Sequence, residues 1–135
     1  MKGFQGYVAS RSIQGNTIPQ HVQNIVIRDY CQKRGMPYLL SGTEYAIPGC
    51  FLILNQIMGN LGSLDGVVMY SMFQLPEDSS ARSRIYSKFL DNGKSLHFAV
   101  EGLSLHREDE VTRLDDIWAV TLVMRELPSP GSELA

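Results

Sequence analysis

Gly6-Tyr7-Val8-Ala9-Ser10-Arg11-Ser12, followed by Gly15-Asn16-Thr17-Ile18-Pro19-Gln20, is the stretch on which the fold turns. An apolar run from Phe4 to Ala9 breaks off in hydroxyls and a guanidinium, a Gly-Asn loop follows, and then a helix opens. Strand, polar loop and helix in that order are the repeating unit of an α/β domain, in which ligands sit beyond the carboxyl ends of the strands. Thr17 and Gln20 are spaced as a capping box, with Pro19 in the first turn where a missing N–H costs nothing. The spacing of Val22, Ile25, Val26 and Tyr30 predicts a helix over 18–34, closed by Gly35 and Pro37.

The same grammar recurs downstream. Tyr38–Ser41 reads as a second short strand, giving way to a polar loop from Gly42 to Gly49. Leu54, Ile57, Met58 and Leu61 share one face of a helix expected over 50–61. Val67-Val68-Met69-Tyr70 is a continuous apolar run, as in a parallel strand covered on both faces. A helix over 79–91 carries Ala81, Ile85 and Phe89, and Leu96–Val100 is a fourth strand. Leu103-Ser104-Leu105 extends that strand or pairs as an edge. Residues 117–124 admit a helix through Val111, Leu114, Ile117 and Trp118 or a strand through Val120–Met124, and the helix is preferred. The expected architecture is a three-layer α/β domain over residues 1–127, with a mainly parallel sheet of four or five strands and helices on both faces. Pro128–Ser132 opens a flexible tail over 128–135.

Bulk properties narrow the function. The 135 residues are 44% hydrophobic and 19% charged, a composition that folds. Net charge is −2 and the pI about 5.9, against the strongly basic balance of a nucleic-acid-binding module. No apolar stretch approaches the ~20 residues of a membrane span, and Met1–Gly6 has no h-region, so a cytoplasmic setting is expected. Cys31 and Cys50 fit no metal spacing and read as buried thiols on helix faces. His97 reads as a core imidazole, and His21 and His106 have no metal-ligand spacing. No P-loop, dinucleotide fingerprint or nucleophile elbow is present, so neither cofactor nor metal is expected.

A parallel sheet brings all its strand ends to one edge. That edge collects Ser10, Arg11 and Ser12; Ser41, Thr43, Glu44 and Tyr45; Tyr70, Ser71 and Gln74; and Glu101. Arg11 suits an anionic group beside the start of the first helix. Glu44 or Glu101 would move a proton, with Tyr70 as acid or oxyanion partner. Ser10, Thr43, Tyr45 and Ser71 would bind substrate hydroxyls, and Gln20, Asn24 and Arg28 would face the same crevice from the first helix. The plainer alternative is that strand ends are polar because the chain leaves the core there, with Arg11 in a surface ion pair.

The segments Gly6-Tyr7, Ile18–Asn24, Arg28–Cys31, Thr43–Tyr45, Asp65-Gly66, Tyr70-Ser71 and Leu75-Pro76 resemble the sporadic carbohydrate cluster proteins over nearly the whole chain. That resemblance implies a setting in bacterial carbohydrate or sugar-containing secondary-metabolite biosynthesis, and no particular reaction. A remoter resemblance is to the catalytic domain of serine recombinases, and it implies a resolvase-like or flavodoxin-like topology. Their Tyr-x-Arg-x-Ser strand corresponds to Tyr7–Arg11, with Ala9 in place of the arginine and Arg11 in place of the nucleophile. Their Asp-Arg-Leu-x-Arg motif corresponds to Phe73–Glu77, with both arginines absent. Phosphoryl transfer on DNA needs that positive charge.

Three functions are set against one another on these grounds. The first is a cofactor-independent isomerase, epimerase or dehydratase acting on an anionic sugar-derived intermediate. The second is a non-catalytic binding or partner subunit of another enzyme in the pathway. The third is a DNA-binding relic of a recombinase. A homodimer or larger homo-oligomer is expected, with the Trp118 segment supplying its surface.

Overall fold

The first strand, β1 (Phe4–Ala9), is buried at every position except Gln5, as befits a strand with neighbours on both sides and side chains covered on both faces. The computed structural model describes residues 2–126; the expected tail lies outside them. Chain order is β1, α1 (Gln20–Lys33), β2 (Tyr38–Glu44), α2 (Leu52–Gly59), β3 (Gly66–Met69), α3 (Ser79–Asp91), β4 (Ser95–Phe98), β5 (Leu103–Leu105) and α4 (Val111–Glu126). The sheet order is β2-β1-β3-β4-β5. The first four strands are parallel, and β5 returns antiparallel to β4 through a turn closed by Gly102 N–H donating to the Phe98 carbonyl at 2.9 Å. This is the three-layer, mainly parallel α/β sheet that the strand–loop–helix pattern predicts.

The two layers of helices are unequal. On one face, α1 alone packs Ile27, Tyr30 and Cys31 onto Phe4, Val8 and Val68. On the other, α2, α3 and α4 bring Leu54, Ile57, Tyr86, Phe89, Leu114 and Trp118 onto Tyr7, Val67, Met69, Leu96 and Phe98. Alternate residues of β1 and β3 go to opposite helix layers, which is why those strands read as apolar runs. Gly66 is required by crowding, because a Cβ there would collide with the Ser95 carbonyl oxygen on the neighbouring strand.

Several boundaries differ from expectation. The Thr17–Gln20 capping box does not form. Pro19 is the N-cap of α1, its carbonyl receives Val22 N–H and Gln23 N–H, and no side chain caps the end. Thr17 therefore sits two residues too early to reach the helix N–H groups. The other end of α1 ends as read: Gly35 takes φ +64° while Met36 N–H donates to Cys31 O and Gly35 N–H to Gln32 O. Strand β2 continues through Gly42, Thr43 and Glu44, which were expected in a loop, because Val8 and Ala9 pair with Thr43 and Glu44. Helix α2 starts at Leu52 and gives way after Gly59 to a 3-10 turn at Leu61–Ser63, so Cys50 lies before the helix and is only half-buried. Residues 117–124 are helical. Trp118 is buried against Phe73 and Arg82 and offers no surface to a partner; the exposed apolar side chains there are Val120, Leu122, Val123 and Met124.

Candidate functional site

Two hydrogen-bonded networks hold the strand ends together. The first is centred on Gln23 of α1, which is wholly buried. Its Nε2 donates to the carbonyls of Ala9 (2.6 Å) and Ile18 (2.8 Å), and its Oε1 accepts from Ala9 N–H (3.1 Å) and Gln74 Nε2 (3.0 Å). Gln74 Oε1 in turn accepts from Ser71 N–H. Ser71 Oγ donates to Glu101 at 2.8 Å and accepts from Phe73 N–H, and Glu101 also accepts from Met72 N–H at 2.8 Å. One amide side chain thus locks the helix to the end of β1 and to the 3-10 turn Met72–Gln74, and Glu101 ties that turn to the β4–β5 connection.

The second network is built on Glu44, the last residue of β2 and 2% exposed. Its carboxylate accepts from Tyr7 OH (2.9 Å), Tyr45 N–H (3.1 Å), Ile53 N–H (3.0 Å) and Leu54 N–H (3.2 Å). Burial alone would raise its pKa, but the backbone donors of Ile53 and Leu54, the Tyr7 hydroxyl and the Tyr45 amide outweigh it, and the group is held below the ordinary carboxylate range. The Tyr7 hydroxyl is pushed up by burial and by its bond to Glu44, against the opposing pull of Arg11, and stays protonated. Arg11 donates to the Tyr7 hydroxyl at 3.1 Å, to the Cys50 carbonyl and to the Gln74 carbonyl at 3.5 Å, and lies 4.4 Å over the Phe51 ring. Arg11, Tyr7 and Glu44 form one relay of charge, hydroxyl and counter-charge.

Arg11 also lines a crevice of about 490 Å³ at the carboxyl edge of the sheet, with Ser12, Phe51, Phe73, Gln74 and Glu77. A cavity of this size and mixed lining suits a small organic ligand. Of the residues picked out in the sequence, Arg11, Ser12 and Gln74 line it. Ser10 is half-buried at the end of β1, and Ser71 is buried within the first network. Tyr70 packs against the α1 side of the core. Thr43 lines a separate shallow hollow on β2 with Gln5 and Gln56, and Tyr45 is exposed. Asn24 and Arg28 point away from the crevice, over β2. Asn24 Oδ1 accepts from Ser41 Oγ (2.6 Å) and Tyr38 OH (3.3 Å), while Arg28 lies 5.4 Å above the Tyr38 ring. The register of β2 explains this, since it places Tyr38 and Ser41 under the middle of α1 rather than at its start. Gln20 opens α1 half-buried.

Neither carboxylate picked out as a base lines the crevice. Glu44 is saturated with donors and caps α2, and Glu101 is engaged by Ser71 and Met72; Glu77 is the carboxylate that does line it. The sequence reading missed Phe51, Phe73 and Tyr7. The usable signal was an aromatic residue in each of two polar strand-end loops. Among the described residues, no three of His, Cys, Asp and Glu gather as a metal site, and no helix is long and apolar enough to cross a membrane.

The architecture defines the class of domain, a resolvase-like α/β sheet. It is similar to a resolvase family site-specific recombinase from Streptococcus pneumoniae, with a TM-score of 0.65 at 15% sequence identity over 91% of this chain and 89% of that one. It is also similar to the N-terminal catalytic domain of TP901-1 integrase, with a TM-score of 0.59 at 18% identity over 93% of this chain and 99% of that one. At such identities the likeness establishes the fold and not the chemistry. No protein-family model matches the chain, and no curated protein matches it.

Proposed function

We propose that this chain binds an anionic, sugar-derived small molecule in the strand-end crevice, in the service of bacterial carbohydrate or secondary-metabolite biosynthesis. The observation that carries the proposal is Arg11: a guanidinium braced from behind by Tyr7, the Cys50 carbonyl and the Phe51 ring, and presented at the crevice. A cation fixed in place binds phosphate or carboxylate at little ordering cost. The sugar setting rests on the resemblance of Ile18–Cys31 and the shorter segments to the carbohydrate cluster proteins. Binding is favoured over proton transfer because Glu44 is ionised and fully occupied, and Glu101 is engaged outside the crevice. A catalytic version, of isomerase, epimerase or dehydratase type, would draw its base from Glu77.

Calorimetric titration with a panel of sugar phosphates tests the proposal. At least one member should bind, and Arg11→Gln should weaken it by about tenfold or more, since one charge-assisted contact is worth roughly 1.5–3 kcal/mol. Circular dichroism confirms that the variant is folded, and Arg11→Lys should retain part of the affinity. A panel with no binder, or a folded Arg11→Gln that binds like the parent, overturns it.

A further inference from the structure

A second hollow, of about 540 Å³, lies between α2 and α3, and Phe51 and Pro76 wall both it and the strand-end crevice. The two cavities are adjoining compartments that share these two wall residues. In the second, Met58 and Ile85 form an apolar floor and Asn55 brings an amide. Its charged members are Arg84 and Lys88, one turn apart on the same face of α3, and no carboxylate lines it. Among the described residues neither cation has an ion-pair partner within 4.0 Å, and two like charges at that spacing repel each other. A bound anion would relieve that repulsion. Cations therefore stand in both compartments, on either side of a wall to which Phe51 and Pro76 are common.

Resting on the Arg11 reading above, we infer that the ligand is a sugar-derived molecule with an anionic group at each end. One group meets Arg11 in the strand-end crevice, and the other meets Arg84 and Lys88 between the helices. The uncharged middle crosses Phe51 and Pro76, the apolar wall that the two compartments share. Asn55 supplies hydrogen bonds to hydroxyls on the far side.

Glucose 1-phosphate and glucose 1,6-bisphosphate, titrated at one ionic strength, separate the possibilities. The parent protein should bind the bisphosphate at least about tenfold more tightly. The double variant Arg84→Gln, Lys88→Gln should bring the bisphosphate down to the affinity of the monophosphate. Both side chains are exposed, so the double variant should keep the parent's melting temperature. Equal affinities in the parent, or a preference that survives the double substitution, overturn the two-compartment ligand and leave the Arg11 site standing. If neither compound binds, this inference falls, and if the wider panel of sugar phosphates also gives no binder, the Arg11 site falls with it.

Discussion

His97 is the residue on which the acid stability of this molecule should turn. It sits in β4, 5% exposed, with Tyr30 OH at 2.9 Å from Nδ1 and Ser95 Oγ at 2.8 Å from Nε2. Burial is the main reason its pKa falls from 6.5 to about 4, and the nearby His106 and Arg34 add to it. The unfolded chain therefore takes up a proton near pH 6.5 that the folded chain refuses until about pH 4. Stability should fall as the pH drops from 6.5 towards 4 and level off below, by about 3 kcal/mol in all. Urea unfolding at pH 7.5, 5.5 and 4.5 measures this, with His97→Gln as the comparison. The parent should lose clearly more stability across that window than the variant, which keeps only the smaller loss from carboxylates such as Glu44; parallel curves would remove His97 from the account. The sequence had already suggested this residue, because a histidine within an apolar strand run must be buried and satisfied. It did not reveal the partners, since Tyr30 lies 67 positions away and is brought close only by the packing of α1 on β4.

At the scale of elements, α2 is held at its N-terminus by a strand rather than by its own cap. Phe51, the N-cap, makes no side-chain bond, and Glu44 from the end of β2 accepts from Ile53 and Leu54 instead. A carboxylate there also meets the positive end of the helix dipole. Glu44→Gln keeps the shape but loses the charge and turns one acceptor into a donor facing an N–H group. It should cost roughly 2–4 kcal/mol, read from denaturant midpoints at pH 7. The deficit should shrink on acidification, because a carboxylate of depressed pKa contributes its stability above its unfolded pKa and loses it as the pH falls through the folded one. A deficit under about 0.5 kcal/mol would mean that α2 does not depend on this cap. This arrangement marks where sequence reading stopped. Helices α1 and α3 and the strand cores were legible because their periodicity is local; the Asp78 cap of α3, accepting from Ala81 N–H, went unread. Gly42-Thr43-Glu44 looked like a loop because the run is polar and both Gly and Glu are poor strand formers. They are held in β2 by pairing with Tyr7, Val8 and Ala9 more than thirty positions away. The place of the crevice was legible, with Arg11 at it. The occupation of Glu44 and Glu101 was not, because most of their donors are backbone N–H groups that any sequence carries, and the Tyr7 and Ser71 hydroxyls lie thirty or more positions away.

At the scale of the whole molecule, the apolar surface is unevenly covered. Helix α4 turns Leu114 and Trp118 into the core, but its second half shows Val120, Val123 and Met124 to solvent at 58%, 60% and 65% exposure. A helix that is apolar on more than its core-facing stripe is usually covered by something further. The sheet edge tells a similar story on the opposite flank, where among the described residues β2 pairs only with β1 and Leu40 stands 79% exposed. Edge pairing through β2 would create a continuous sheet, yet Leu39-Leu40-Ser41 gives only a short apolar stretch to align. The α4 surface presents its apolar residues within one turn of each other and makes the better self-complementary contact, so self-association should run through α4. Sedimentation equilibrium should find a species of about twice the 15.1 kDa chain mass at tens of micromolar. Val123→Glu should return it to the monomer, because two carboxylates would meet across a twofold axis, while Leu40→Glu should leave the dimer intact. A dimer abolished by the Leu40 substitution and indifferent to the Val123 one would move the interface to the sheet edge. A strict monomer at these concentrations would show that α4 keeps its apolar flank without a second copy.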